Sequence, residues 1–198
     1  EGIMPAYSEW DGVPVHASRP LLTELLREKW GFDGQVVSDY GAVKMLHNFQ
    51  RVAPDAKTAG QMALYAGVDV EAPNLFGFGP ELLEAVRKGE VSEELVNTAV
   101  RRVLKHKFEK GLFENPYANE EAQQQSRNAE ALELARQAAR ESCVLLKNKN
   151  LLPLSPTLGK IAVIGPNADN PQPGDYTVPE AIERTVTVRR ALEDRFGA

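Results

Sequence analysis

The chain has 198 residues, 42% hydrophobic and 26% charged, a balance that fits a globular protein filling one large domain or parts of two. A net charge of -5 and a pI near 5.4 leave no surplus of positive charge for a phosphate backbone, so neutral or weakly polar substrates are expected instead of nucleic acid. The single cysteine, Cys143, excludes an internal disulfide and a multi-thiolate metal site; its setting after Ala139-Arg140-Glu141-Ser142 predicts a small buried hydrophobe at a helix end.

The opening Glu1-Gly2-Ile3-Met4-Pro5 lacks the basic and apolar regions of a signal peptide and reads as the interior of a longer sequence. No apolar run approaches the roughly 20 residues of a membrane span. The first half alternates strand-like and helix-like segments. Gly2 to Tyr7 predicts a short strand, and Ser8 to Ser18, with Gly12 and Pro14, a loop. Ser18 is placed to cap a helix whose first turn holds Pro20, with Leu21, Leu22, Leu25 and Leu26 along its apolar face to about Lys29. Gly31 to Gly34 breaks that helix. Gln35-Val36-Val37-Ser38 is a compact β-branched run, as in a strand buried on both faces. The cycle repeats with a helix over Thr58 to Ala66, a stop at Gly67, and a strand over Val68 to Glu71. Helices follow over Glu81 to Arg87 and from Ser92-Glu93-Glu94-Leu95, a capping pattern. Such alternation predicts parallel strands with crossover helices.

Residues 112–127 read as a linker between a first domain, 1–111, and a second α/β pattern, 128–198. The second pattern predicts a helix from Asn128 to about Ser142, extended segments at Val144-Leu145-Leu146 and Lys160 to Gly165, and a helix over Val188 to Phe196. The chain is expected to be a fragment, with sequence missing at both ends.

The site that can carry chemistry is Val36-Val37-Ser38-Asp39-Tyr40-Gly41. Parallel α/β folds place their chemistry at the carboxyl ends of strands. Asp39 follows a strand there, Tyr40 can wall a pocket or stack on a ligand ring, and Gly41 lets the backbone turn sharply. An aspartate after a strand is, taken alone, more often a helix cap or turn residue, so the position gains specificity only from its neighbours.

Those neighbours carry a resemblance. Leu25 to Ala42, including Trp30-Gly31-Phe32-Asp33-Gly34-Gln35-Val36-Val37-Ser38-Asp39-Tyr40-Gly41, resembles the signature around the nucleophile of glycoside hydrolase family 3. Met4-Pro5-Ala6-Tyr7-Ser8-Glu9-Trp10-Asp11-Gly12-Val13-Pro14-Val15-His16-Ala17-Ser18 resembles the preceding strand and loop. Ala66 to Glu71, Lys110 to Phe113, Glu141 to Asn148, Ile161 to Ala168 and Gly174 to Thr177 follow in the family's order, so the likeness spans nearly the whole chain. The resemblance implies the C-terminal part of a (β/α)8 TIM-like barrel followed by the start of an α/β sandwich domain. It implies a retaining exo-β-glycosidase, with Asp39 as nucleophile and with Met4, Tyr7 and Tyr40 lining the sugar subsite. Gln35, where the signature has an apolar residue, and Pro5 depart from the pattern without touching Asp39. A lysine–histidine pair and an arginine that the family places on earlier strands lie outside this sequence.

Retaining hydrolysis needs an attacking carboxylate and a protonated carboxyl about 5–5.5 Å away. From the residues alone, Glu71 at the next strand end is the first candidate for the acid, and Glu9 the second. The resemblance instead places the acid in the second domain beyond Ala198, which leaves Glu71 as a rim residue holding a loop or substrate hydroxyls. Asp69 faces the other way and is expected to pair with a helix.

His16, His47 and His106 have no metal-ligand spacing; His16 reads as a loop hydrogen-bonder. Ile161 to Asn167 lacks the glycines of a dinucleotide turn, and Pro166 removes an N–H that a phosphate would use. Arg101-Arg102 and Lys105 to Lys110 read as a solvated helix face. No cofactor or metal is therefore expected. The expected partner is a small β-glycoside or oligosaccharide, with no nucleic acid or membrane, and with the remaining segments of the same enzyme required. A terminal β-glucoside is the leading substrate; a β-xyloside or α-arabinofuranoside, or a sugar-binding scaffold without activity, are the alternatives. Compartment, cytoplasmic or secreted, is left open, as is oligomeric state.

Overall fold

The computed structural model describes residues 2–125, 128–157 and 159–197. It is a helix-rich α/β structure divided into two compact units, 1–120 and 121–198.

In the first unit, β1 (Gly2–Ile3) pairs in parallel with β4 (Gln35–Val36), with Gly2 opposite Gln35 and Ile3 opposite Val36. The ladder continues as single bonds: Val37 N–H donates to Ile3 C=O at 2.9 Å, Ser38 N–H to Val70 C=O at 2.8 Å, and Val37 bridges Val70 in parallel. The regular strands are thus shorter than the sequence pattern predicts. β1 ends before Pro5, whose ring nitrogen has no hydrogen to give a ladder. Between them, β2 (Glu9–Trp10) and β3 (Val13–Pro14) form a separate antiparallel hairpin, and a 3₁₀ turn follows at Val15–Ala17.

Helices pack against these strand ends. Pro20–Lys29 forms a helix, but with wider π-type winding; Trp30 N–H, at its end, donates to Leu25 C=O. Ser18 does not cap it. Arg19 holds the N-cap position without a side-chain bond, and Ser18 contributes its carbonyl to Leu22 N–H. Then come α1 (Ala42–Asn48), α2 (Ala56–Ala66, capped by the Asp55 side chain and stopped at Gly67), α3 (Pro80–Arg87) and α4 (Glu93–Glu109, with the Ser92 hydroxyl accepting from Glu94 N–H). One core joins Leu22, Val36, Val43, Leu46, Ala63 and Val68; a second joins Leu64, Leu82, Ala85, Val91 and Ala99 between α2, α3 and α4.

Asp69 behaves as the sequence predicts. Its carboxylate, 1% exposed, pairs with Arg27 at 2.7 Å and Arg102 at 2.8 Å, and accepts Val36 N–H at 2.8 Å. Burial pulls the Arg27 pKa below its ordinary value and Asp69 opposes that pull.

α2 carries a glycine for a steric reason. A Cβ on Gly60 would lie 2.0 Å from the Gly77 carbonyl oxygen, which is backbone and not the far end of a flexible side chain. Overpacking of this kind costs about 1–3 kcal/mol, more than the roughly 1 kcal/mol that alanine gains over glycine in a helix. Gly60→Ala is therefore expected to lower the Tm of the full-length protein, and a melting curve unchanged or shifted upward would contradict the close approach.

The second unit holds the remainder of α5 (Glu120–Gln125), then α6 (Ala129–Glu141), α7 (Pro179–Ile182) and α8 (Val188–Phe196). Asn128 caps α6 through Ala131 N–H, and Thr187 caps α8 through Arg190 N–H. The expected strands at Val144–Leu146 and Ile161–Gly165 are not formed among the described residues. Strands of a parallel sheet need a neighbour to pair with and cover on both faces; here Ile164 is 88% exposed. Cys143 is likewise exposed, contrary to the expected burial, because no sheet covers the end of α6. No described helix is long and apolar enough to cross a membrane, and no described cluster of His, Cys, Asp and Glu could hold a metal ion.

Candidate active site

Asp39 stands where the β4 extension leaves the parallel ladder. Ser38, buried beneath it, anchors that end twice: its N–H reaches Val70 C=O, and its hydroxyl accepts Ala72 N–H at 2.9 Å. Gly41 follows at φ +71°, the left-handed turn that starts α1. Gly41 is also the N-cap of α1 and no side chain caps that helix, so Asp39 is not spent as a cap.

The Asp39 carboxylate is held through one oxygen. Oδ1 accepts the Tyr7 hydroxyl at 2.8 Å and the adjacent Tyr40 N–H at 2.7 Å. Among the described residues no donor reaches Oδ2. The Tyr7 hydroxyl also lies 2.8 Å from the Tyr40 carbonyl. Tyr40 itself is 59% exposed beside the carboxylate.

Two further residues complete the group. His16, on the 3₁₀ turn after the β2–β3 hairpin, accepts the Asp39 backbone N–H at Nε2, 3.2 Å away. The imidazole is 3% exposed. Burial lowers its pKa to about 4; the Asp39 charge and a hydrogen bond to the Ala6 backbone oppose this without reversing it. Gln50, just past α1, donates its side-chain N–H to Tyr7 C=O at 3.1 Å. Sequence reading identifies His16 only as a loop hydrogen-bonder and passes over Gln50, which carries no local signal.

Of the residues predicted to form the site, the structure brings Tyr7, Asp39 and Tyr40 into one hydrogen-bonded group. Met4 is exposed just beyond β1, and Glu9 is exposed on β2; neither is bonded to Asp39. Glu71, predicted to touch substrate, is buried instead, and its carboxylate accepts the backbone N–H groups of Phe76, Gly77 and Phe78 at 2.8–3.2 Å. It holds a loop, the first of the two rim roles open to it, mainly through Oε2, which receives all three N–H groups. A cavity of about 540 Å³ lined by Asp55, Lys57, Glu81, Lys88 and Glu90 shares no residue with the Asp39 group. It is an open groove between surface ion pairs such as Lys57–Glu90.

Fold and site define an α/β protein of the parallel type that presents an aspartate at a strand's carboxyl end, steadied by a tyrosine from the loop after the neighbouring strand. Residues 1–106 match the glycosyl hydrolase family 3 N terminal domain, and residues 143–198 match the glycosyl hydrolase family 3 C-terminal domain. The chain belongs to glycosyl hydrolase family 3. It is 35% identical over 204 residues to a periplasmic beta-glucosidase of Salmonella typhimurium, covering 98% of this chain and 26% of that protein. It is 40% identical over 173 residues to a xylan 1,4-beta-xylosidase of Xylanibacter ruminicola, covering 85% of this chain and 20% of that protein. Among solved structures, a beta-glucosidase from Listeria innocua in complex with glucose superimposes with a TM-score of 0.81 at 35% identity, covering 98% of this chain and 27% of that one. The chain therefore spans only about a fifth to a quarter of the length of such relatives.

Proposed function

We propose that this chain is the nucleophile-bearing part of a retaining exo-β-glycosidase that removes terminal β-linked glucose through a covalent glycosyl-enzyme on Asp39. The observation that carries the reading is the asymmetry of the Asp39 carboxylate. Tyr7 and Tyr40 orient Oδ1, while among the described residues no donor reaches Oδ2, which is able to approach an anomeric carbon. A nucleophile needs this combination of a fixed direction and an unencumbered lone pair. The reading includes residues 1–111 as the closing part of a (β/α)8 barrel and 128–198 as the opening of an α/β sandwich domain. Parallel strand segments separated by helices support the first, and the two family matches support the division.

In this reaction Asp39 attacks the anomeric carbon, and the C–O bond to the leaving group breaks as an acid outside this chain protonates that oxygen. Water then hydrolyses the ester and returns the carboxylate. Exposed Tyr40 and Met4 supply apolar surface beside the sugar ring. A β-xylosidase or α-arabinofuranosidase reading stands alongside, because the xylosidase relative matches at 40% identity.

Labelling the full-length protein with a 2-deoxy-2-fluoro glycoside, followed by peptide mapping, tests the nucleophile. Mass added to the peptide containing Asp39 is expected. Label on Glu71, or no label, would overturn the assignment.

A further inference from the structure

We propose that His16 is a positioning residue for Asp39: its ring accepts the Asp39 backbone N–H and so fixes the strand end from which the carboxylate projects. This deepens the reading above and rests on it. His16 lies 23 residues before Asp39, on a turn whose Val15 and Ala17 pack against the core that holds Val36, and it is almost wholly enclosed. The turn is itself pinned to the chain after β1, since Val15 N–H donates to Ser8 C=O at 3.1 Å.

The imidazole has two nitrogens and, uncharged, a single proton. Nε2 faces a backbone N–H, so it must present its lone pair, and the proton sits on Nδ1. The Ala6 backbone lies on the ring's other side and favours a proton there. Ala6 immediately precedes Tyr7, whose hydroxyl holds Asp39 Oδ1. The ring thus holds the backbone that carries the carboxylate, from a turn bonded through Val15 N–H to Ser8, the residue after the orienting Tyr7. A displacement of either changes the angle at which Oδ2 meets a substrate. A charged ring would set N–H against N–H here, and burial is what keeps it uncharged.

His16→Leu keeps comparable volume and removes the acceptor. His16→Gln places an amide oxygen near the position of Nε2. In the full-length enzyme assayed with an aryl β-glucoside, His16→Leu is expected to lower kcat by about 10- to 100-fold, the scale of a misplacement on the order of 1 Å. KM should change little, and His16→Gln should recover most of the loss. The decisive comparison is His16→Leu placed in an Asp39→Ala background assayed with azide. Azide replaces the carboxylate, so a residue acting only through Asp39 should add no further loss there. A full additional loss, or Leu and Gln variants that are equally impaired, overturns the positioning role. Should the leucine variant fail to fold, His16→Met, a weak acceptor of similar size, takes its place in the same comparison. If Asp39→Ala keeps its turnover, the nucleophile assignment itself falls, and this inference with it. If Asp39→Ala is inactive and rescued by azide while the His16 effects are additive, only this inference falls.

Discussion

Replacing Asp39 with alanine in the full-length protein is expected to lower turnover of an aryl β-glucoside by roughly four orders of magnitude, the scale seen when a group central to covalent catalysis is removed. Azide is expected to restore part of it and to release a glycosyl azide of inverted anomeric configuration. The methyl group left behind cannot attack, yet the surrounding group survives its loss. Ser38 still anchors the strand end at Val70 and Ala72, and His16 still meets the backbone N–H. The cavity vacated by the carboxylate lies beside partly exposed Tyr7 and Tyr40, where a small anion can enter. Near-normal turnover, or an azide product of unchanged configuration, would reject the nucleophile.

Asp69→Ala is expected to be the most destabilising single substitution in the first unit. It removes a carboxylate that two arginines and one backbone N–H share. Arg27 is 7% exposed and would keep only carbonyl partners, at Gly34 and Gly67. Breaking a buried pair from one side costs about 3–5 kcal/mol, because a desolvated charge is stranded. A thermal melt of the full-length protein should show a large fall in Tm for Asp69→Ala. Glu90→Ala, which breaks the exposed pair with Lys57, should change it little. Equal effects from the two variants would refute the distinction.

Much of the secondary structure was legible because it depends on local chemistry. Gly67 ends α2, Ser92 opens α4, Asn128 opens α6, and α8 occupies Val188–Phe196, each through a cap or stop that a few neighbouring residues determine. Asp69 was legible by alternation along a strand. Ser18 misled, since Pro20 sets a helix start at which Arg19 becomes the N-cap. Glu71 was legible only in part: holding a loop was one of its expected rim roles, but which loop was not legible, since its partners are backbone N–H groups of Phe76 to Phe78, and a loop that folds its amides toward a carboxylate has no side-chain signature. The extended runs of the second unit read as strands by composition, but strands form only where a neighbour completes the ladder. Asp39, Tyr7 and Tyr40 were legible through the strand-end rule and the family likeness together. Gln50 was legible through neither, because only the folded chain brings it to Tyr7.

The Tyr7 hydroxyl has one hydrogen to give, and both the Asp39 carboxylate and the Tyr40 carbonyl lie within its reach. While the aspartate is anionic, the stronger attraction is toward it. Were Asp39 esterified as proposed, the hydroxyl could turn to the carbonyl by a rotation about its own C–O bond. Under the proposed mechanism the tyrosine would therefore keep an acceptor in either state, its hydroxyl following the charge as a covalent intermediate formed and decayed.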